Sequence, residues 1–138
     1  MKYVILGGVA AGTKAAAKLK RCDRTADVKV YTKGADISYA GCGLPYYIGG
    51  DIPNREGLIV NTPKRYSGLT GAEVFTGFEA TGIDSASKTV SLKNGSGEAF
   101  TEAYDKLIIA TGAVPFVPYV EGRELPGVFC VRTPDDAV

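Results

Sequence analysis

Cys42 sits within "SYAGCGLPYYIGG", Ser38 to Gly50, between two glycines and just ahead of a Leu-Pro pair. A thiol in such a place can carry redox chemistry if its anion is stabilised, because only the thiolate attacks a disulfide sulfur. "CGLPYYI" can open a short helix at the cysteine, and the partial positive charge of a helix start favours that anion. The competing reading is a small, inert hydrophobe in a turn. No second cysteine lies four or five places away, so an intrachain dithiol couple is not expected. The partner sulfur then comes from a substrate, or Cys42 cycles through sulfenic acid. Cys22 and Cys130, at a helix end and in an apolar run, read as packing residues.

A second chemical feature is "GGVAAG", Gly7 to Gly12. A dinucleotide fingerprint places G-x-G-x-x-G between a strand and a helix, with an acid about twenty residues on. Gly7 and Gly12 hold the first and third places, Val9 holds the second, and Gly8 stands beside it. Gly7 permits the tight turn; Gly12 with Ala11 permits close helix–strand packing. The helix start at Ala10 offers free N–H groups to a pyrophosphate. A side chain at Val9 restricts close approach of the backbone to phosphate. The expected acid is missing, since Thr32 and Lys33 follow Tyr31. Thr32 can make one hydrogen bond to a ribose but not the paired contact of a carboxylate, and Lys33 suits either an extra phosphate or solvent. Lys14, Lys18 and Arg21 fall at i, i+4 and i+7 and share a helix face. That basic stripe can hold phosphates or can be an ordinary solvated face.

These residues need a scaffold, and the flanking sequence supplies one. Tyr3–Leu6 is a short apolar run, Ala10–Arg21 is rich in helix formers, and Val28–Tyr31 reads as a strand. Together they make a βαβ unit with a parallel sheet in about thirty residues. Thr62 and Pro63 mark the start of a short helix over Pro63–Ser67. Ala72–Thr76, Glu79–Asp84, Lys88–Lys93 and Ala99–Tyr104 read as antiparallel strands of a small meander, with "NGSG" at Asn94–Gly97 as a hairpin signal. Lys106–Ala110 has the nearly all-apolar character of a buried parallel strand. Val128–Val131 is one more candidate strand.

Composition narrows the functional classes. The 138 residues suit one α/β domain with a real core, and a net charge of +1 gives no pull toward nucleic acid or an anionic membrane. The chain has three cysteines, no CxxC or CxxH spacing and no histidine, so no metal site is indicated. Free thiols fit a reducing, cytoplasmic setting. The apolar run near Met1 is short, glycine-broken and followed by lysines, unlike a signal peptide.

"VILGGVAAGTKAAAKLKR", "SYAGCGLPYYIGG" and "YDKLIIATGAVP", in that order and spacing, resemble the N-terminal part of the coenzyme A-disulfide reductases. These are single-cysteine, FAD-dependent pyridine nucleotide-disulfide oxidoreductases, related to NADH oxidases and NADH peroxidases. The resemblance spans essentially the whole chain and implies a Rossmann-like FAD-binding domain with a parallel sheet and an inserted antiparallel β-meander. It implies FAD at Gly7, Gly8, Val9, Ala10, Ala11, Gly12, Thr111 and Gly112, with Thr32 and Lys33 at the adenosine end. NADH or NADPH is the implied electron donor and Cys42 the redox centre. Coenzyme A is implied at Lys14, Lys18, Arg21 and Ser38, with coenzyme A disulfide or a related persulfide as substrate.

Oxidase and peroxidase relatives usually carry a histidine in the first glycine loop. Its absence here favours disulfide over peroxide or oxygen reduction. Family members are considerably longer and dimeric. Residues 1–138 are therefore expected to be the N-terminal part of an FAD/NAD(P)-binding domain in a longer, homodimeric enzyme, inactive by themselves. A non-catalytic nucleotide- or coenzyme A-binding module is the alternative of a different class.

Overall fold

The computed structural model describes residues 1–137. Along the chain run β1 (Lys2–Leu6), α1 (Ala11–Cys22), β2 (Asp27–Thr32), α2 (Leu44–Ile48), α3 (Pro63–Thr70), β3 (Glu73–Thr76), β4 (Phe78–Asp84), β5 (Thr89–Asn94), β6 (Ala99–Ala103) and β7 (Lys106–Ile109). Two compact units result. The first holds Met1–Tyr39 with Asn61–Thr111; the second holds Ala40–Val60 with the chain from Gly112 onward.

In the first unit a parallel sheet has the order β3-β2-β1-β7. Central β1 reads as an apolar run because both of its faces are covered. Ile5, with Val28 and Val30 of β2, packs on Ala16 of α1 and Tyr66 of α3. Val4 and Leu6 turn the other way, toward Tyr31, Val90 and Leu92. Val4, Ile5, Val30, Val90 and Leu92 are wholly buried, each contributing about 1.5–3 kcal/mol of transfer free energy. An antiparallel sheet β4-β5-β6 forms the second layer. Its β5–β6 hairpin turns through Asn94, whose side chain accepts from the backbone N–H groups of Ser96 and Glu98, as "NGSG" indicated.

The two layers are joined by charge as well as apolar contact. Glu102 of β6, 9% exposed, accepts from the Tyr31 hydroxyl at 2.5 Å and lies 3.5 Å from the Lys29 ammonium. Its other oxygen pairs with the ammonium of Lys2. Tyr31 also stacks on Phe75, with ring centroids 4.9 Å apart, and meets Phe78 edge-on at 6.0 Å.

The βαβ unit, the Rossmann-like parallel sheet and the inserted meander stand as expected, but three elements need correction. Residues 72–76 do not join the meander: β3 pairs in parallel with β2, Thr32 opposite Thr76. Its β-branched and aromatic pattern serves either pairing, and the helix before it makes the parallel crossover possible. Strand β7 is paired on one side only, with β1. It is thus an edge strand among the described residues, and Ile109 is 62% exposed. Val128–Val131 forms no strand. An apolar run becomes a strand only where a partner edge accepts its hydrogen bonds. Here Val128 N–H turns back onto Leu125 O at 3.2 Å, and Phe129 stays exposed.

Helix α3 begins as the Thr62–Pro63 pair requires, with Thr62 Oγ1 accepting from Arg65 N–H at 3.3 Å. No helix among the described residues is long and apolar enough to cross a membrane.

Candidate functional site

The glycine loop joins β1 to α1 in the first unit. Gly7 has φ +108°, and a Cβ there would lie 2.1 Å from Ala110 O. A Cβ on Gly12 would lie 1.8 Å from Gly7 O. The loop is thus pressed against the end of β7, and α1 against the loop, as closely as backbone allows. Gly7 N–H donates to Tyr31 O at 2.8 Å, and Gly8 O accepts from Ser38 N–H at 3.1 Å. Thr13 turns its hydroxyl back onto the carbonyls of Val9 and Ala10, while Tyr66 of α3 donates its hydroxyl to Thr13 O.

No side chain caps α1 at Ala10 and no acid stands in its first turn. Its leading N–H groups, with the positive end of the helix dipole, are therefore available to an anion. A tight glycine loop that packs closely on its neighbours and runs into an uncapped helix start fits a dinucleotide pyrophosphate.

Around this loop the first unit gathers several residues singled out from sequence. Thr32 is buried at the end of β2, its Cβ and Cγ2 each 3.1 Å from where a Cβ on Gly8 would stand. Thr111 follows β7, its N–H 3.2 Å from the equivalent point on Gly7. Ser38 is half-buried with φ +49°, and its Oγ accepts from Asn61 Nδ2 at 3.5 Å. Lys14, Lys18 and Arg21 are exposed along α1. Lys33 is exposed too, but its ammonium pairs with Glu79 of β4 at 2.9 Å. Sequence reasoning missed that partner, since nothing local links positions 46 residues apart.

The cysteine belongs to the second unit. Gly41–Gly43 forms a 3-10 turn that runs directly into α2, with Leu44 and Pro45 as its first residues. Cys42 is in the middle of this turn, exposed, and followed by buried Gly43 and Leu44. A Cβ on Gly43 would lie 2.9 Å from a methyl of Leu58, so the glycine lets the turn settle on that residue while the thiol faces outward. The α-helix that "CGLPYYI" suggests begins at Leu44, two residues after the cysteine, with Cys42 itself in the 3-10 turn before it. Gly112 is in the same unit, with φ +75°. Cys22 and Cys130 are exposed rather than packed. Cys22 lies on the solvated last turn of α1, and Cys130 in the segment that forms no strand. No cluster of three or more histidine, cysteine or acidic side chains capable of holding a metal occurs among the described residues.

Comparison with known proteins places this geometry. The model of the pyridine nucleotide-disulphide oxidoreductases matches residues 1–138. The chain belongs to this family. A protein named NADH oxidase from Methanocaldococcus jannaschii is 35% identical over 136 residues, 99% of this chain and 30% of that protein. A coenzyme A disulfide reductase of Staphylococcus aureus is 36% identical over 113 residues, 81% of this chain and 26% of that enzyme. The reduced Bacillus anthracis CoADR-RHD structure superposes with a TM-score of 0.91 at 39% identity, covering 99% of this chain and 25% of that one. The chain therefore spans less than a third of the length of these relatives. Pyridine nucleotide-disulphide oxidoreductases of this kind use FAD with NADH or NADPH. The fold expected from the glycine loop is theirs.

Proposed function

We propose that residues 1–138 form the N-terminal part of an FAD/NAD(P)-binding domain in an NAD(P)H:disulfide oxidoreductase with one redox cysteine. Coenzyme A disulfide, or a related persulfide, is the substrate. The observation that carries this is Cys42: an outward-facing thiol on a 3-10 turn entering α2, in a chain whose glycine loop fits a dinucleotide. Gly7, Gly8, Val9, Ala10, Ala11 and Gly12 hold the pyrophosphate of FAD, with Thr32 and Lys33 at its adenosine end and Thr111 and Gly112 nearer the flavin. Lys14, Lys18 and Arg21 attract the coenzyme A phosphates, with Ser38 as a further contact.

The Cys42 thiolate attacks one sulfur of the substrate disulfide, forming a mixed disulfide and releasing one thiolate. Two electrons then return Cys42 to its thiolate and free the second thiol, which takes up a proton. Bound FAD supplies the passage for those electrons from NADH or NADPH. The turn holds the thiol outward and the flanking glycines leave room for a bulky disulfide. The working enzyme is a cytoplasmic homodimer in this reading.

The test is the full-length protein with Cys42→Ser. Flavin absorbance is retained and turnover of coenzyme A disulfide is lost. Unchanged turnover would defeat the proposal and favour a nucleotide- or coenzyme A-binding module with an idle thiol. A second reading, an NADH oxidase or peroxidase, draws on the name of the Methanocaldococcus relative. Against it stands the absence of histidine in these 138 residues. Parallel assays with oxygen, peroxide and coenzyme A disulfide separate the two.

A further inference from the structure

The end of β2 lacks the carboxylate that in dinucleotide folds takes the paired hydroxyls of the adenosine ribose. Thr32 occupies that place, and its side chain lies against Gly8. We propose that Glu79 of β4, oriented by Lys33, supplies the missing carboxylate and binds the ribose of the dinucleotide held on the glycine loop. This inference rests on the reading that such a nucleotide binds there.

The geometry carries it in three steps. Strand β3 runs beside β2 with Thr76 opposite Thr32, so the chain leaves the sheet level with the ribose end of the site. Gly77 N–H then donates to Gly34 O at 3.4 Å, and the ring of Phe78 locks against Tyr31 and Phe75 at 6.0 and 6.3 Å. These contacts bring the next residue, Glu79, to the loop that follows β2. There the ammonium of Lys33 holds Glu79 Oε1 at 2.9 Å.

The second carboxylate oxygen makes no hydrogen bond among the described residues, and the side chain is 51% exposed. It is thus reachable and oriented. An exposed ion pair on its own contributes little to stability, whereas a fixed carboxylate beside a nucleotide loop has a use. The pair also neutralises Lys33, which removes the charge that would otherwise attract an additional phosphate at the ribose.

The test measures equilibrium binding to the full-length apoprotein, by flavin fluorescence, of FAD and of FAD analogues lacking the adenosine 2′- or 3′-hydroxyl. A hydrogen bond to a charged group corresponds to roughly tenfold or more in affinity. Wild type is therefore expected to bind at least one analogue about tenfold more weakly than FAD. Glu79→Ala is expected to bind FAD about tenfold more weakly and to lose that discrimination. Its circular dichroism and melting midpoint stay at the wild-type values because the residue is half-exposed. An undiminished penalty for both analogues in Glu79→Ala would overturn the proposal. So would a penalty that vanishes instead in Asp36→Asn, the carboxylate of the loop after β2. If wild type binds neither FAD nor the analogues, the nucleotide reading itself fails, an outcome distinct from either of these.

Discussion

Replacing Glu102 by leucine tests how the meander is fastened to the parallel sheet. The carboxylate accepts from Tyr31 and pairs with Lys2 and Lys29, and leucine leaves all three partners without it. Losing one member of a fully buried pair costs about 3–5 kcal/mol. The Lys2 and Lys29 side chains are 32% and 22% exposed, so water can rehydrate both ammonium groups. A loss of about 2–3 kcal/mol follows, most of it from the desolvated Tyr31 hydroxyl and the severed charged hydrogen bonds. Glutamine keeps an acceptor for Tyr31 and is expected to cost about 1 kcal/mol.

The pH profile adds a sign that simple loss of packing would not give. Burial alone would raise the Glu102 carboxyl, but hydrogen bonds from Lys2 and Tyr31 and the charges of Lys29 and Lys2 together hold it below its ordinary value. The unfolded chain then binds more protons in the acid range, so this stabilisation is present above the unfolded carboxylate value and lost as pH falls through the folded one. The hydrogen bond to Glu102 outweighs burial and raises the Lys2 ammonium. Burial first, then the Glu102 contact, raises the Tyr31 phenol. The folded chain therefore holds protons longer at the alkaline end, and stability falls as pH rises beyond about 10.

Denaturant melts of wild type and Glu102→Leu across pH read both slopes. In the variant the acid slope contributed by Glu102 disappears and the alkaline slope shrinks. A cost below about 0.5 kcal/mol at neutral pH, the range of ordinary surface changes, with an unaltered pH profile, would refute the reasoning.

Other outcomes follow from single contacts. Gly12→Ala puts a methyl 1.8 Å from Gly7 O and is expected to cost about 1–3 kcal/mol along with FAD retention. Gly41→Ala meets nothing within 4 Å and should melt within about 0.5 kcal/mol of wild type. Thr62→Ala removes the cap of α3 and should lower stability by about 1 kcal/mol in a denaturant titration. All three thiols are exposed, so each should react with an aromatic disulfide reagent in the native state, while Cys22→Ser and Cys130→Ser retain turnover. On the proposed reading, replacing Lys14, Lys18 and Arg21 together by glutamine is expected to raise the KM for coenzyme A disulfide and flatten its salt dependence. The value of kcat should change little.

Local chemistry made half of this molecule readable from sequence. Gly7 and Gly12 announce a turn and a close approach, Thr62–Pro63 a helix start, and Asn94 a hairpin, because each acts on neighbours a few residues away. Pairing does not work that way. The β-branched run at 72–76 suits a meander or a parallel sheet equally, and only the edge of β2 decides between them. The apolar run at 128–131 lacks such an edge. Among the candidate site residues, Cys42 and the glycine loop were visible as motifs. The Lys33–Glu79 pair and the Glu102 network were not, because they join charges from strands far apart in sequence that any solvated surface would also carry.

The central position of β1 sets an order of events. Tyr3 finds Val28 after 25 residues of chain but Lys106 only after 103. Closing the longer loop costs about 1.2 kcal/mol more entropy, two doublings in length. The β5–β6 hairpin and the β1–α1–β2 unit can therefore form early from local contacts, whereas the fourth strand must wait for the meander to be made and set down. On a ribosome, the second edge of β1 stays open until roughly a hundred residues beyond it have emerged. During that interval an apolar strand presents unpaired backbone to its surroundings, so chaperone dependence should track translation speed across residues 30–105 more closely than the stability of the finished fold.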